Sequence, residues 1–175
     1  MDYISLALLF LLSGFFMKFS DDLFDVNGDI KLASLLGILC AIASGFAAVY
    51  NSDAAYIFIA ILVGNLLALK VDGVHHIIAL AVFVLICIIF GIPELSIVIL
   101  LICIVSALLD EVGHELISKV TDDKFLNLFF EYRFVMKVVI LLLAIFGVFN
   151  IWIFVCFISF EIAYEIAGII FEKLN

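Results

Sequence analysis

Three short stretches of the chain gather side chains that hold cations. They read Lys18-Phe-Ser-Asp21-Asp22-Leu-Phe-Asp25-Val-Asn-Gly-Asp29, Lys70-Val-Asp72-Gly-Val-His75-His76 and Asp110-Glu111-Val-Gly-His114-Glu115. A fourth, Glu131-Tyr-Arg133 with Lys137, adds two bases. On continuous helices Asp22, Asp25 and Asp29 fall at i, i+3, i+7. Asp72 with His75 and His76, and Glu111 with His114 and Glu115, fall at i, i+3, i+4, so each set shares a helical face. Four carboxylates within nine residues (Asp21, Asp22, Asp25, Asp29) repel one another unless a cation neutralises them or some take up protons.

Clustered aspartates with few softer ligands suit Mg²⁺, which keeps its waters and binds through one or two carboxylates plus substrate phosphates. Asp21, Asp22, Asp25, Asp29, Asp72, His76, Glu111 and His114 are the candidate metal ligands on this reading. Asp72, Glu111 and His114 are also the candidate catalytic groups, and Lys18, Lys70, Arg133 and Lys137 the partners for phosphate oxygens. A rival exists in the two acid-x-x-His pairs, Asp72/His75 and Glu111/His114, because helix bundles build di-iron and di-manganese centres from such pairs plus two more carboxylates. Glu161 and Glu165, four residues apart inside the last apolar run, face either the site or another helix. Asn65 reads as interhelical glue. Lys31, Lys119, Asp122, Asp123, Lys124 and Lys173 read as interfacial anchors.

The elements that must position these groups are transmembrane helices. Of 175 residues, 68% are hydrophobic and 14% charged, and the mean hydropathy is +1.42. An ordinary globular domain has roughly 45–50% apolar and about 25% charged residues. A chain this apolar cannot cover a water-facing surface, which excludes a soluble enzyme, a nucleic-acid binder, a disordered regulator and a disulfide-stapled secreted module. The four cysteines lie inside apolar runs without Cys-x-x-Cys spacing and read as small buried hydrophobes. Apolar runs at 3–19, 30–50, 54–71, 77–92, 95–109, 134–148 and 151–171 give seven candidate spans, several shorter than the ~20 residues a bilayer asks for. No cleavage pattern follows the first run, which is read as a retained helix. The expected fold is therefore all-α: one polytopic membrane helix bundle over residues 1–175, with about seven transmembrane helices.

With seven spans, all eight basic residues fall on the side reached after the first, third, fifth and seventh helices. The positive-inside rule makes that side cytoplasmic, with the N-terminus outside and the C-terminus inside a cell membrane. All but three of the seventeen acids, Asp2, Asp53 and Glu94 being the exceptions, join the bases there, as do the three histidines. Topology requires the bases but not the excess of acids. The four ionisable clusters are therefore expected to share one cytoplasmic cavity.

At the first cluster, Asp21-Asp22-Leu-Phe-Asp25-Val-Asn-Gly-Asp29 resembles the first aspartate-rich motif of the UbiA-type superfamily of intramembrane prenyltransferases, Asn-Asp-x-x-Asp-x-x-x-Asp. It differs in having Asp at the leading position. The likeness extends to the flanking helices and covers about the first seventy residues. It implies that Asp22, Asp25 and Asp29 take part in Mg²⁺-mediated binding of a prenyl diphosphate, shared with a second motif at Asp72-x-x-x-His76 or Asp110-Glu111-x-x-His114-Glu115. The chain departs from that family in having seven spans rather than about nine, and no Arg/Pro-rich stretch after the motif.

The function expected is a Mg²⁺-dependent, prenyltransferase-like membrane enzyme acting on an isoprenoid or other lipid (di)phosphate at the cytoplasmic face. Its partners are then the bilayer and that lipid substrate, with no nucleic acid. The alternatives are a proton- or cation-coupled transporter, for which Glu161 and Glu165 are the only mid-depth acids, and the Fe or Mn pair enzyme.

Overall fold

The computed structural model describes residues 2–174; Met1 and Asn175, the ends to which the sequence assigns sides of the membrane, lie outside the described residues. Among the described residues there are eight α-helices and no strands. They are α1 (Tyr3–Asp25), α2 (Ile30–Tyr50), α3 (Ser52–Leu67), α4 (Val74–Phe90), α5 (Ile97–Val120), α6 (Lys124–Glu131), α7 (Phe134–Ile145) and α8 (Ile151–Leu174). Polar side chains start several of them by accepting backbone N–H groups that a first turn leaves unpaired. Asp2 accepts from Ser5, Asp29 from Leu32, Asn51 from Ala54 and Asp123 from Leu126.

Four helices are long and apolar enough to cross a membrane: Tyr3–Asp25, Ile30–Tyr50, Ile97–Ile117 and Ile151–Leu174. The other three apolar helices, α3, α4 and α7, have 16, 17 and 12 residues. Several of the run boundaries move: the first run was expected to end at 19, but α1 continues to Asp25 and carries most of the first cluster. The third run was expected to 71, but α3 stops at Leu67, where Leu69 takes a positive φ of 58°. The fifth was expected to end near 109, whereas α5 continues to Val120 and carries the whole third cluster. Between α5 and α7 lies the short helix α6, which corresponds to none of the seven apolar runs. Its Phe125 and Leu128 are exposed.

Neighbour relations close a ring, α1–α2–α3–α5–α7–α8 and back to α1, with α4 packed on α2. Alanines fill the tight places on α2 and α3 (Ala33, Ala47, Ala48, Ala54, Ala55, Ala60), so backbones approach without large side chains between them. Leu6, Phe10, Ile57, Ile140, Ile153 and Phe157 are fully buried around them. Outside the ring the surface is apolar: Ile88 and Ile89 on α4, and Ile97, Val98 and Leu101 on α5, are more than half exposed. A face of that composition is solvated by lipid rather than water.

Candidate functional site

α1 brings Lys18, Asp21, Asp22 and Asp25 to its C-terminal turns, and all four line one cavity of about 440 Å³ inside the ring. Lys18 Nζ donates to Asp22 Oδ1 at 2.8 Å. Asp29 does not join them, contrary to the helical spacing. α1 ends at Asp25, the chain turns through Gly28 at φ 65°, and Asp29 caps α2 instead. The face shared at i, i+3, i+7 requires a helix that has already stopped.

The second cluster also divides. Lys70 and Asp72 belong to the segment between α3 and α4, while His75 and His76 sit in the first turn of α4. Lys70, Asp72 and His76 line the cavity. His75 lies behind it, 2% exposed, with its ring 4.4 Å from that of Phe24 and 3.9 Å from that of His76. Asp21 Oδ1 reaches both histidines, at 3.4 Å from His75 Nε2 and 3.7 Å from His76 Nε2.

On α5, Glu111 and His114 face the cavity. Glu111 accepts from Arg133 Nε at 2.8 Å, and His114 Nδ1 lies 3.3 Å from the Phe130 carbonyl oxygen. Asp110, 2% exposed, accepts the backbone N–H groups of Val135 and Met136 at 2.9 and 2.7 Å. It therefore caps α7 from another helix, a task that Arg133, the residue at the α7 N-cap, does not perform. Glu115 pairs with Lys70 at 3.1 Å.

Arg133 stands in the left-handed region, φ 50° and ψ 56°, at the break between α6 and α7. Burial opposes its charge, but Tyr164, Glu111 and Glu161 outweigh that and raise its pKa above the usual arginine value. The Tyr164 ring has the Arg133 guanidinium 5.7 Å from its centroid and the Lys18 ammonium at 5.6 Å. Two cations at the cavity are thus organised by one aromatic ring. Lys137 is not part of the cavity wall; it pairs with Glu161 at 2.7 Å and donates to the Tyr132 carbonyl. Glu161 lines the cavity and Glu165 is exposed elsewhere.

The structure therefore brings together Lys18, Asp21, Asp22, Asp25, Lys70, Asp72, His76, Glu111, His114 and Arg133, and leaves out Asp29 and Lys137. Tyr164 is not marked in the sequence, because a tyrosine in an apolar run carries no signal of its own. Beyond the charged groups the wall turns apolar, with Cys40, Phe58, Ile61, Leu62, Phe83, Met136, Phe157 and Phe160. Ser44 and Asn65 are its polar exceptions.

Two donor sets are available to a cation. Asp25 and Asp72 line the cavity and enter no ion pair among the described residues. Together with Asp22 they offer the oxygen-only ligands that Mg²⁺ takes. The second set is Asp21, His75 and His76, whose donor atoms lie within 4.8 Å of one another. Among the described residues this is the one such group of three, so neither the two acid-x-x-His pairs nor Asp22, Asp25 and Asp72 close into a cluster of that size. Comparison with protein-family models, curated proteins and solved structures returned no match.

Proposed function

We propose that the chain is a membrane enzyme that takes a lipid phosphate or diphosphate from the bilayer and uses Mg²⁺ to activate its head group, with prenyl transfer the reaction it fits best. The observation that carries this reading is the cavity's division into a charged end and an apolar end, the shape of an amphiphile. Lys18 and Arg133 supply cationic donors for phosphate oxygens, Arg133 through a planar fork. Glu111 and Tyr164 position Arg133. The acids lining the same end would repel an anion, and Mg²⁺ held by Asp25 and Asp72, with Asp22, would supply the neutralising charge for a diphosphate leaving group. Asp72 and His114, both exposed, are placed to take a proton from an acceptor arriving from water. The apolar wall from Phe58 to Phe160 receives the tail and excludes water from the reacting carbon.

A transport path has less support. Glu161 is held by Lys137, Glu165 is exposed away from the cavity, and the depth of the cavity is mainly apolar.

The decisive measurement is thermal stabilisation by geranylgeranyl diphosphate with and without Mg²⁺. At a ligand concentration a hundred times Kd, stabilisation is about 2.7 kcal/mol. It is expected only when Mg²⁺ and the diphosphate are both present, and Asp25→Asn and Asp72→Asn are each expected to remove most of it. Equal stabilisation of the wild type and both variants would take these carboxylates out of the site.

We also read α3, α4 and α7 as crossing the membrane with the four longer helices, which makes seven spans. Twelve residues of α7 rise only ~18 Å. α7 packs between α5 and α8 and buries Met136, Ile140 and Ala144, while Phe134, Val138, Leu142 and Ile145 form its exposed face. The basic ends then lie in the cytoplasm and the N-terminus lies outside the cell. An accessibility tag between Asn51 and Asp53 is expected to label from outside, and one at Asp122 only after permeabilisation. Reversed labelling would overturn the orientation and the cytoplasmic site together.

A further inference from the structure

We propose that Asp21, His75 and His76 bind a single divalent first-row transition metal, at a site chemically distinct from the all-oxygen Mg²⁺ set and independent of the lipid-phosphate reading. Ligand atoms ~2.0–2.1 Å from a tetrahedral metal stand about 3.4 Å apart. The Asp21 Oδ1 distances to His75 Nε2 and His76 Nε2 are 3.4 and 3.7 Å, and no pair of the three donor atoms exceeds 4.8 Å. The apo arrangement is thus already close to what coordination demands.

The independent observation is His75 itself. It is 2% exposed, yet neither ring nitrogen has a hydrogen-bond partner. Its approach to Asp21 lacks hydrogen-bonding geometry, although the distance is short enough for an ion pair. A buried polar group left so is costly and calls for a partner that the protein does not itself provide. The ring is nevertheless held firmly. Phe24 and His76 cover it, and a Cβ at residue 73 would stand 2.4 Å from it, so only glycine fits there. A nearby lone-pair donor on His76 and a carboxylate on Asp21 complete a two-histidine, one-carboxylate set.

That set selects the metal class. Imidazole nitrogen suits zinc, iron and cobalt, whereas Mg²⁺ takes oxygen. Asp21 and His76 both line the cavity while His75 stands behind them, so the positions not filled by protein face the lumen.

Cobalt(II) is the probe, added to tag-free protein in detergent without any lipid phosphate. One equivalent is expected to give visible ligand-field absorption, displaced by Zn²⁺ but not by a hundredfold excess of Mg²⁺. Asp21→Asn and His76→Gln are each expected to weaken Co²⁺ binding at least tenfold, and Asp25→Asn and Asp72→Asn, whose charges reach His76 only through space, to weaken it far less. His76 is the histidine to substitute because its side chain is 30% exposed, so the fold tolerates the change better than at His75. Absence of the absorption, displacement by Mg²⁺, or equal binding by wild type, Asp21→Asn and His76→Gln would overturn the site. Loss of Mg²⁺-dependent diphosphate binding with Co²⁺ binding intact would count against the lipid-phosphate reading alone.

Discussion

Arg133→Ala is expected to lower affinity for a lipid diphosphate by about 30- to 1,000-fold, which corresponds to ~2–4 kcal/mol for truncating one partner of a desolvated charge pair. Two losses combine. The head group loses a forked donor beside Lys18 and Tyr164, and Glu111, whose side chain is only 14% exposed, loses the cation that satisfies it. The second loss also threatens the fold, because a largely buried carboxylate without its partner is strongly destabilising. Arg133→Gln combined with Glu111→Gln separates the effects by removing both charges. The double variant is expected to recover thermal stability relative to Arg133→Ala but not diphosphate binding. Arg133→Gly is a further control: with φ at 50°, glycine relieves backbone strain while deleting the same donor. Titration calorimetry with Mg²⁺ and geranylgeranyl diphosphate measures all three. Wild-type affinity in the double variant would remove Arg133 from the head-group site.

The parts of this site legible in the sequence were those written locally. Seven apolar runs, read as spans, put the ends of α1, α3 and α5 and the start of α7 on one side whatever the packing, and the cavity contains a member of each of the four ionisable clusters. The parts missed depend on contacts between distant residues or on where a helix stops. Asp29 shares a spacing with Asp22 and Asp25 but not a helix, because the chain turns at Gly28. Asp110 stands beside Glu111 in the third cluster with nothing to mark it as a helix cap; its two hydrogen bonds to α7 come from twenty-five and twenty-six residues away. The contact of Asp21 with His75 and His76 crosses from α1 to α4, and no periodicity encodes it. Helix lengths were blurred for a related reason. The apolar run and α7 both begin at Phe134, but hydropathy does not register the break at Gly147, whose φ of 73° ends α7 after twelve residues.

Gly14→Ala is expected to destabilise the bundle and weaken the site at once. α1 and α8 form the most extensive helix pair, and Gly14 lies where α1 meets the backbone of α8. A Cβ there would stand 2.2 Å from the carbonyl oxygen of Phe160 and 3.0 Å from its carbonyl carbon. The obstacle is backbone in mid-helix, so no side-chain rotation relieves it and α8 must move by about 1 Å. Overpacking of this kind costs ~1–3 kcal/mol and occasionally more. Alanine recovers ~0.5–1 kcal/mol as the better helix former. With a rigid backbone neighbour the cost falls at the upper end of that range, leaving a net loss of about 2 kcal/mol and a fall in Tm of roughly 4–8 °C. Displacement of α8 also carries Tyr164 and Glu161 away from Lys18, Arg133 and Lys137, so diphosphate affinity should fall with stability. Gly168→Ala is the matched control at the same helix pair. Its Cβ would meet only the Lys18 side chain, at 3.0 Å from Cε, and a lysine stem can swing aside. That variant is expected to unfold at or slightly above the wild-type temperature. If Gly14→Ala does the same, α1 and α8 are not in backbone contact at Phe160, and the placement of Tyr164 between the two cations loses its support.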